Sequence, residues 1–125
     1  MGYESKLYIV TKHTYAENDG MKYAAKIAEF DLCKMGDKFH DDIMKYPVTD
    51  SYFYADDGNT RVLEDAYGDK LIEIPVIDMI KILSDALYAD PYYRRIRPAL
   101  NLLLGFNLSE WVSDSYQLVV LHYGH

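Results

Sequence analysis

Residues 6–13, KLYIVTKH, alternate with a period of two, Leu7 and Ile9 on one side and Tyr8 and Val10 on the other, which predicts a strand. AENDG (16–20) is a turn signal, because Asp19-Gly20 readily adopts positive φ. Segment 22–35 mixes helix-forming Ala, Glu and Lys with an alternation through Tyr23, Ala25, Ile27, Phe30 and Leu32. That alternation predicts a second strand in a hairpin with 6–13, with a bulge near Ala28–Glu29. Residues 36–47 read as a short helix: Gly36 breaks the strand, Asp37 caps the first turn, Phe39, Ile43 and Met44 share a side, and Pro47 stops it.

Runs 51–55 and 59–65 flank Asp57-Gly58, the best hairpin signal in the chain, and 70–74 can add a third short strand after a turn at 67–69. Residues 51–74 are therefore expected to form a meander. Pro75 suits the first position of a helix running to about Tyr88, with Val76, Met79, Ile80, Leu83 and Leu87 as its buried stripe. Asp90-Pro91 caps a second helix in which Ile96, Leu100, Leu103 and Leu104 face inward, and Pro98 predicts a kink or break. NLSEW (107–111) reads as one helical turn, and YQLVVLHY (116–123) as an apolar closing strand with a central place in the sheet. There is no internal repeat, linker or low-complexity tract. The pattern predicts a single α+β domain over residues 1–125, an antiparallel sheet packed on one face by two to three helices.

Charge changes the picture next. The chain carries a net charge of −7 with a pI near 4.9, which disfavours non-specific binding to nucleic acid or an anionic membrane. Between Asp50 and Glu73 stand seven carboxylates (Asp50, Asp56, Asp57, Glu64, Asp65, Asp69, Glu73) against Arg61 and Lys70. Asp56, Asp57, Gly58, Asn59 and Thr60 lack the register of an EF-hand loop and fit a two-residue turn instead. No metal or cofactor is expected there. Carboxylates on alternate strand residues recur at spacings comparable to backbone phosphates, so this segment can occupy a groove meant for nucleic acid.

Other chemistry is sparse. His122 and His125 stand three apart, with His13 and His40 distant in sequence; two imidazoles fall short of a firm zinc site, though folding can bring Cys33 or a carboxylate near. Cys33 is the only cysteine, so no intramolecular disulfide forms, and FDLCK places it in a half-buried strand with no activating neighbour. No nucleophile-elbow, zincin, P-loop or dinucleotide pattern occurs. One basic cluster stands out: Arg94, Arg95 and Arg97 beside Tyr92 and Tyr93. Arg94 and Arg97 share a helix face by spacing, and arginine with tyrosine suits a nucleotide or phosphate ligand. The start MGYESKLYIV lacks a signal-peptide pattern, and no apolar run reaches the ~20 residues of a membrane span, so a cytoplasmic protein is expected.

MGYESKLYIV, AKIAEFDLCK, YADDGNTRVLEDAYGD and LVVLHYGH resemble a family of small uncharacterised proteins of phages and prophages of Gram-positive bacteria. The resemblance spans most of the chain and is most distinctive in YADDGNT. It carries no catalytic motif and implies a context, an accessory protein that acts on host proteins in the bacterial cytoplasm, including defence nucleases. The leading expectation is a non-enzymatic inhibitor of a host nucleic-acid-binding protein of the CRISPR-type defence class, binding its basic groove and no nucleic acid itself. Asp56, Asp57, Glu64, Asp65 and Asp69 would meet the basic partner, with Tyr52, Tyr54 and Tyr67 as apolar anchors. The alternative is a nucleotide or phosphate binder using Tyr92, Tyr93, Arg94, Arg95 and Arg97, and a third possibility is a metal enzyme built on His122 and His125. Thirteen tyrosines, among them Tyr3, Tyr8, Tyr15 and Tyr23 of the N-terminal hairpin, also suggest a two-fold dimer through an exposed sheet edge.

Overall fold

A computed structural model describes residues 4–13, 23–108 and 116–125 of the chain. The first alternating run becomes β1 (Ser5–His13), paired antiparallel with β2 (Tyr23–Cys33). Ile9 faces Ala28 while Val10 faces Lys26, so the extra residue is Ile27, one position before the expected bulge. The turn expected at 16–20 lies outside the described residues, as does most of the turn at 107–111.

The remaining elements are α1 (Asp37–Ile43), β3 (Phe53–Tyr54), β4 (Arg61–Val62), β5 (Ile72–Pro75), α2 (Val76–Ala89), α3 (Ile96–Leu108) and β6 (Tyr116–Gly124). Four strands form an antiparallel sheet in the order β2-β1-β6-β5, and β3 and β4 form a separate two-stranded sheet. The architecture is α+β, as the pattern predicted. The third strand of 51–74 pairs with β6 in the larger sheet, and only the Glu64–Lys70 bridge ties this stretch back to the end of β4. The apolar Ile72 and Ile74 explain the difference, since a buried sheet edge offers them a core that a free hairpin does not.

β6 is central because both its faces are covered. Val120 joins Leu7, Ile9, Ile74 and the helices on one side, whereas Val119 and Leu121 join Val10, Phe53 and Leu71 on the other. The helices cover the first face, and the β3–β4 hairpin covers the second through Phe53 and Val62. In α3, Ile96, Ala99, Leu100 and Leu103 are buried at helical spacing, and Leu104 turns out to be exposed.

Local details depart from expectation for simple reasons. Gly36, not Asp37, is the N-cap of α1, and Asp37 stands in the first turn, where the helix dipole favours a carboxylate. Met44 is the C-cap residue and is exposed rather than part of the buried stripe. Pro75 closes β5 and serves as the N-cap of α2. The helix around Pro98 starts at Ile96, not after Asp90, so Pro98 is its third residue. A first-turn N–H has no intrahelical acceptor, so proline there removes nothing and α3 runs on unbroken.

A buried polar network crosses the hairpin side of the sheet. The Tyr23 hydroxyl lies 2.5 Å from Glu73 Oε1 and 2.8 Å from Thr49 Oγ1, and Lys12 Nζ lies 2.6 Å from Glu73 Oε2. With one proton to give, the phenol donates to the carboxylate and accepts from Thr49. Burial, and then Glu73, push the Tyr23 phenol well above its ordinary pKa. Tyr23→Phe leaves the buried Thr49 hydroxyl and one oxygen of the part-buried Glu73 short of a partner. A loss of about 1.5–3 kcal/mol in urea unfolding is expected, the range of a hydrogen bond to a charged group. An unchanged midpoint would show that water replaces the phenol.

Candidate functional site

The acidic stretch is sorted by the fold into three kinds of carboxylate. Asp57 and Asp65 build turns. Asp57 Oδ1 accepts the amides of Asn59 and Thr60, both at 2.8 Å, and Oδ2 accepts the Thr60 hydroxyl. Those bonds, led by the hydroxyl, hold the Asp57 carboxyl down at about 2. The connection is longer than the two-residue turn expected: Tyr54 pairs with Arg61, Ala55 N donates to Thr60 O at 2.8 Å, and Gly58 takes a positive φ of 74°. Asp65 Oδ1 likewise accepts the amides of Tyr67 and Asp69, at 2.9 and 3.0 Å, around Gly68 with φ 82°. Ala66 N donates to Gly124 O at 3.0 Å, fastening this second turn to the end of β6.

A second group is paired. Asp56 meets Lys26 at 2.8 Å, Asp50 meets Lys70, and Glu73 is held in the Tyr23 network. Lys26 also lies 5.6 Å from the Tyr8 ring centroid, so an anion and an aromatic face share it. The third group is Glu64 and Asp69, both exposed and without an ion pair among the described residues. Of the anchors, Tyr54 and Tyr67 are exposed, the latter by 56%, but Tyr52 is 6% exposed and lies under Arg61, 4.6 Å from its ring centroid. Tyr52 therefore supports Tyr54 and Arg61 instead of presenting itself to a partner.

The N-terminal hairpin does place β2 at the sheet edge, but its tyrosines are not an exposed stripe. Tyr23 is fully buried, and the half-buried Tyr8 packs 5.0 Å from Phe53 and 5.6 Å from Tyr123, ring centroid to ring centroid. Burial, and then Glu29, raise the Tyr8 phenol to about 12. Tyr3 and Tyr15 lie outside the described residues.

The basic cluster is divided. Arg94 and Arg95 precede α3, so Arg94 and Arg97 do not share a helix face. Arg95 Nη1 donates to the Asp31 carbonyl at 3.0 Å, and the Tyr93 hydroxyl donates to the Leu32 carbonyl, so both tie the turn before α3 to the end of β2. Tyr92 is 90% exposed.

The two C-terminal histidines also part company. His122 is buried on the helix side, its Nε2 2.9 Å from Ser5 Oγ and its ring close to those of Phe39 and His40. Burial, followed by the proximity of His40, lowers its pKa to about 4, against a smaller opposing effect of Asp65. His125 instead lies 3.3 Å from Asp31 Oδ1, which also accepts the Cys33 amide. Cys33 has a positive φ of 58°, and partial burial and Asp31 hold its thiol above its ordinary value. Among the described residues no three His, Cys, Asp or Glu side chains are grouped to hold a metal ion. His122 was readable as a core residue from its alternation with Val120, a signal obscured by the nearby His125.

Comparison with protein-family models, curated proteins and solved structures gives no match for this chain. Among the described residues no helix is long and apolar enough to cross a membrane.

Proposed function

We propose that this chain is a binding protein without catalytic activity, a phage accessory protein whose acidic hairpin side enters the basic groove of a host nucleic-acid-binding protein. In this reading it acts in the bacterial cytoplasm and blocks a defence effector of the CRISPR type. The observation that supports the reading is the pair of self-capped turns, 55–60 and 65–69, bearing exposed acids with Tyr54 and Tyr67 beside them. Turns already ordered by their own Asp57 and Asp65 have little conformational entropy left to lose on binding. The turn-forming Asp57 and Asp65 are joined on this side by the exposed Glu64 and Asp69, which stand outside any ion pair among the described residues, and by Asp56, which Lys26 partly offsets. The phage context in this reading is what the resemblance of YADDGNT and its flanks to small phage proteins implies.

The decisive measurement is displacement of a labelled DNA duplex from purified defence nucleases. Glu64 and Asp69 are the residues to reverse, because neither carboxylate holds a turn together. Glu64→Lys with Asp69→Lys is expected to weaken displacement by tenfold or more, on the order of the cost of placing like charges face to face. Displacement that persists at full potency in this double variant, with unchanged thermal stability, would sink the proposal. So would simultaneous binding of DNA and this protein to the same nuclease.

A further inference from the structure

Between α1 and α2, closed at one end by the turn into α3, lies a cleft of about 310 Å³. Phe39, Ile82, Ala86 and Tyr93 make it largely apolar, and its size falls at the lower end for small-molecule sites. The Tyr93 hydroxyl is engaged by the Leu32 carbonyl, so the cleft receives the ring and not a free phenol.

The rim decides the chemistry. Lys38 and Asp42 lie 2.8 Å apart and cancel, while Asp85 is held only loosely by the exposed Lys81, 3.5 Å away. Of the lining charges only Asp90 and Lys34 stand outside an ion pair among the described residues, and the lining as a whole carries three carboxylates against two lysines. α2 ends here at Ala89, and no basic residue in its last turn offsets the partial negative charge of its terminal carbonyls. Phe39 and Tyr93 add aromatic surface, and the whole molecule carries −7.

We propose that this cleft binds a small organic cation, a primary or quaternary amine on an aliphatic or aromatic body. The apolar body fills the space over Phe39, Ile82 and Ala86, and the ammonium meets Asp85, Asp90 and the carbonyl end of α2. Lys34 on the facing lip sets the orientation by repelling the charged end toward α2. The site lies on the helix side of the sheet and is independent of the acidic hairpin side.

The test is an amide NMR titration of the full chain with phenethylamine and choline, against 2-phenylethanol and 3-phenylpropionate, all at millimolar concentration. Saturable shifts at Phe39, Ala86 and Ala89 are expected with the amines, and severalfold weaker binding with the neutral and anionic analogues. Asp90→Asn, at an exposed position, should weaken amine binding roughly two- to fivefold, the range of a solvent-exposed ion pair, and leave the alcohol unaffected. Ala86→Phe should fill the cleft and abolish binding; if it unfolds the chain, Asp90→Asn still carries the test. Absence of saturable shifts with either amine, shifts centred outside the cleft, equal binding of the alcohol, or indifference to Asp90→Asn would each overturn the proposal.

Discussion

Replacing Phe53 by alanine is expected to destabilise the protein by about 3–5 kcal/mol, the usual cost of emptying a buried phenylalanine site. Phe53 is 1% exposed and joins the hairpin to Val10, Val119 and Leu121 of the main sheet and to Leu71 just before β5. The hairpin itself is short, two residues per strand, and isolated hairpins are marginal in water, so it depends on this anchor. Urea unfolding of Phe53→Ala measures the effect. A loss below about 1 kcal/mol would mean that the hairpin does not lean on the sheet. The same variant should weaken any function of the 55–60 turn, which the hairpin carries, more than that of the 65–69 turn, which is fastened to the end of β6.

Acidification should cost nearly as much through one imidazole. His122 has a pKa of about 4 in the fold and about 6.5 in the unfolded chain, so in that interval the unfolded state takes up a proton that the native state refuses. Stability is therefore complete above pH 6.5 and falls as pH drops towards 4, by roughly 3 kcal/mol in all. His40 from α1 opposes protonation, Asp65 from the second turn favours it, and Ser5 from β1 is the hydrogen-bond partner. His122→Gln keeps a polar partner for Ser5 and should flatten the profile between pH 6.5 and 4. The lowered carboxyl of Asp57, at about 2, adds its effect only at more acid pH, as that carboxylate protonates. Parallel profiles for the two proteins would remove His122 as the cause.

Strand alternation was the legible part of the sequence. Leu7 and Ile9 against Tyr8 and Val10, and the apolar run ending in His122, give correct faces and the central place of β6. Asp57-Gly58 marked the turn, but Ala55–Thr60 became a longer connection because Asp57 captures its own downstream amides. The partner strand of β5 was not legible, since pairing across the sheet is decided by burial of Ile72 and Ile74 against distant elements. The arginine cluster misled for a related reason: spacing assumes a helix, and α3 begins only at Ile96. The cleft could not be seen at all, because Lys34, Asp42, Asp90 and Tyr93 meet only after α1, α2 and the following turn have packed.

The position of β6 also governs how the chain reaches its fold. β6 is the last of the described elements in order, yet it supplies a neighbour along the whole of β1 and, among the described residues, the only strand beside β5 in the sheet. Ser5 and His122, in contact in the fold, are 117 positions apart. The β1–β2 hairpin and the α2–α3 pair can form from local contacts, whereas closing the sheet requires bringing the two ends of the described chain together. Refolding is accordingly expected on the millisecond-to-second scale typical of domains rich in non-local pairing. Until β6 docks, Leu7, Ile9 and Val10 stand without their final neighbours, and that waiting interval is when this chain is most open to aggregation.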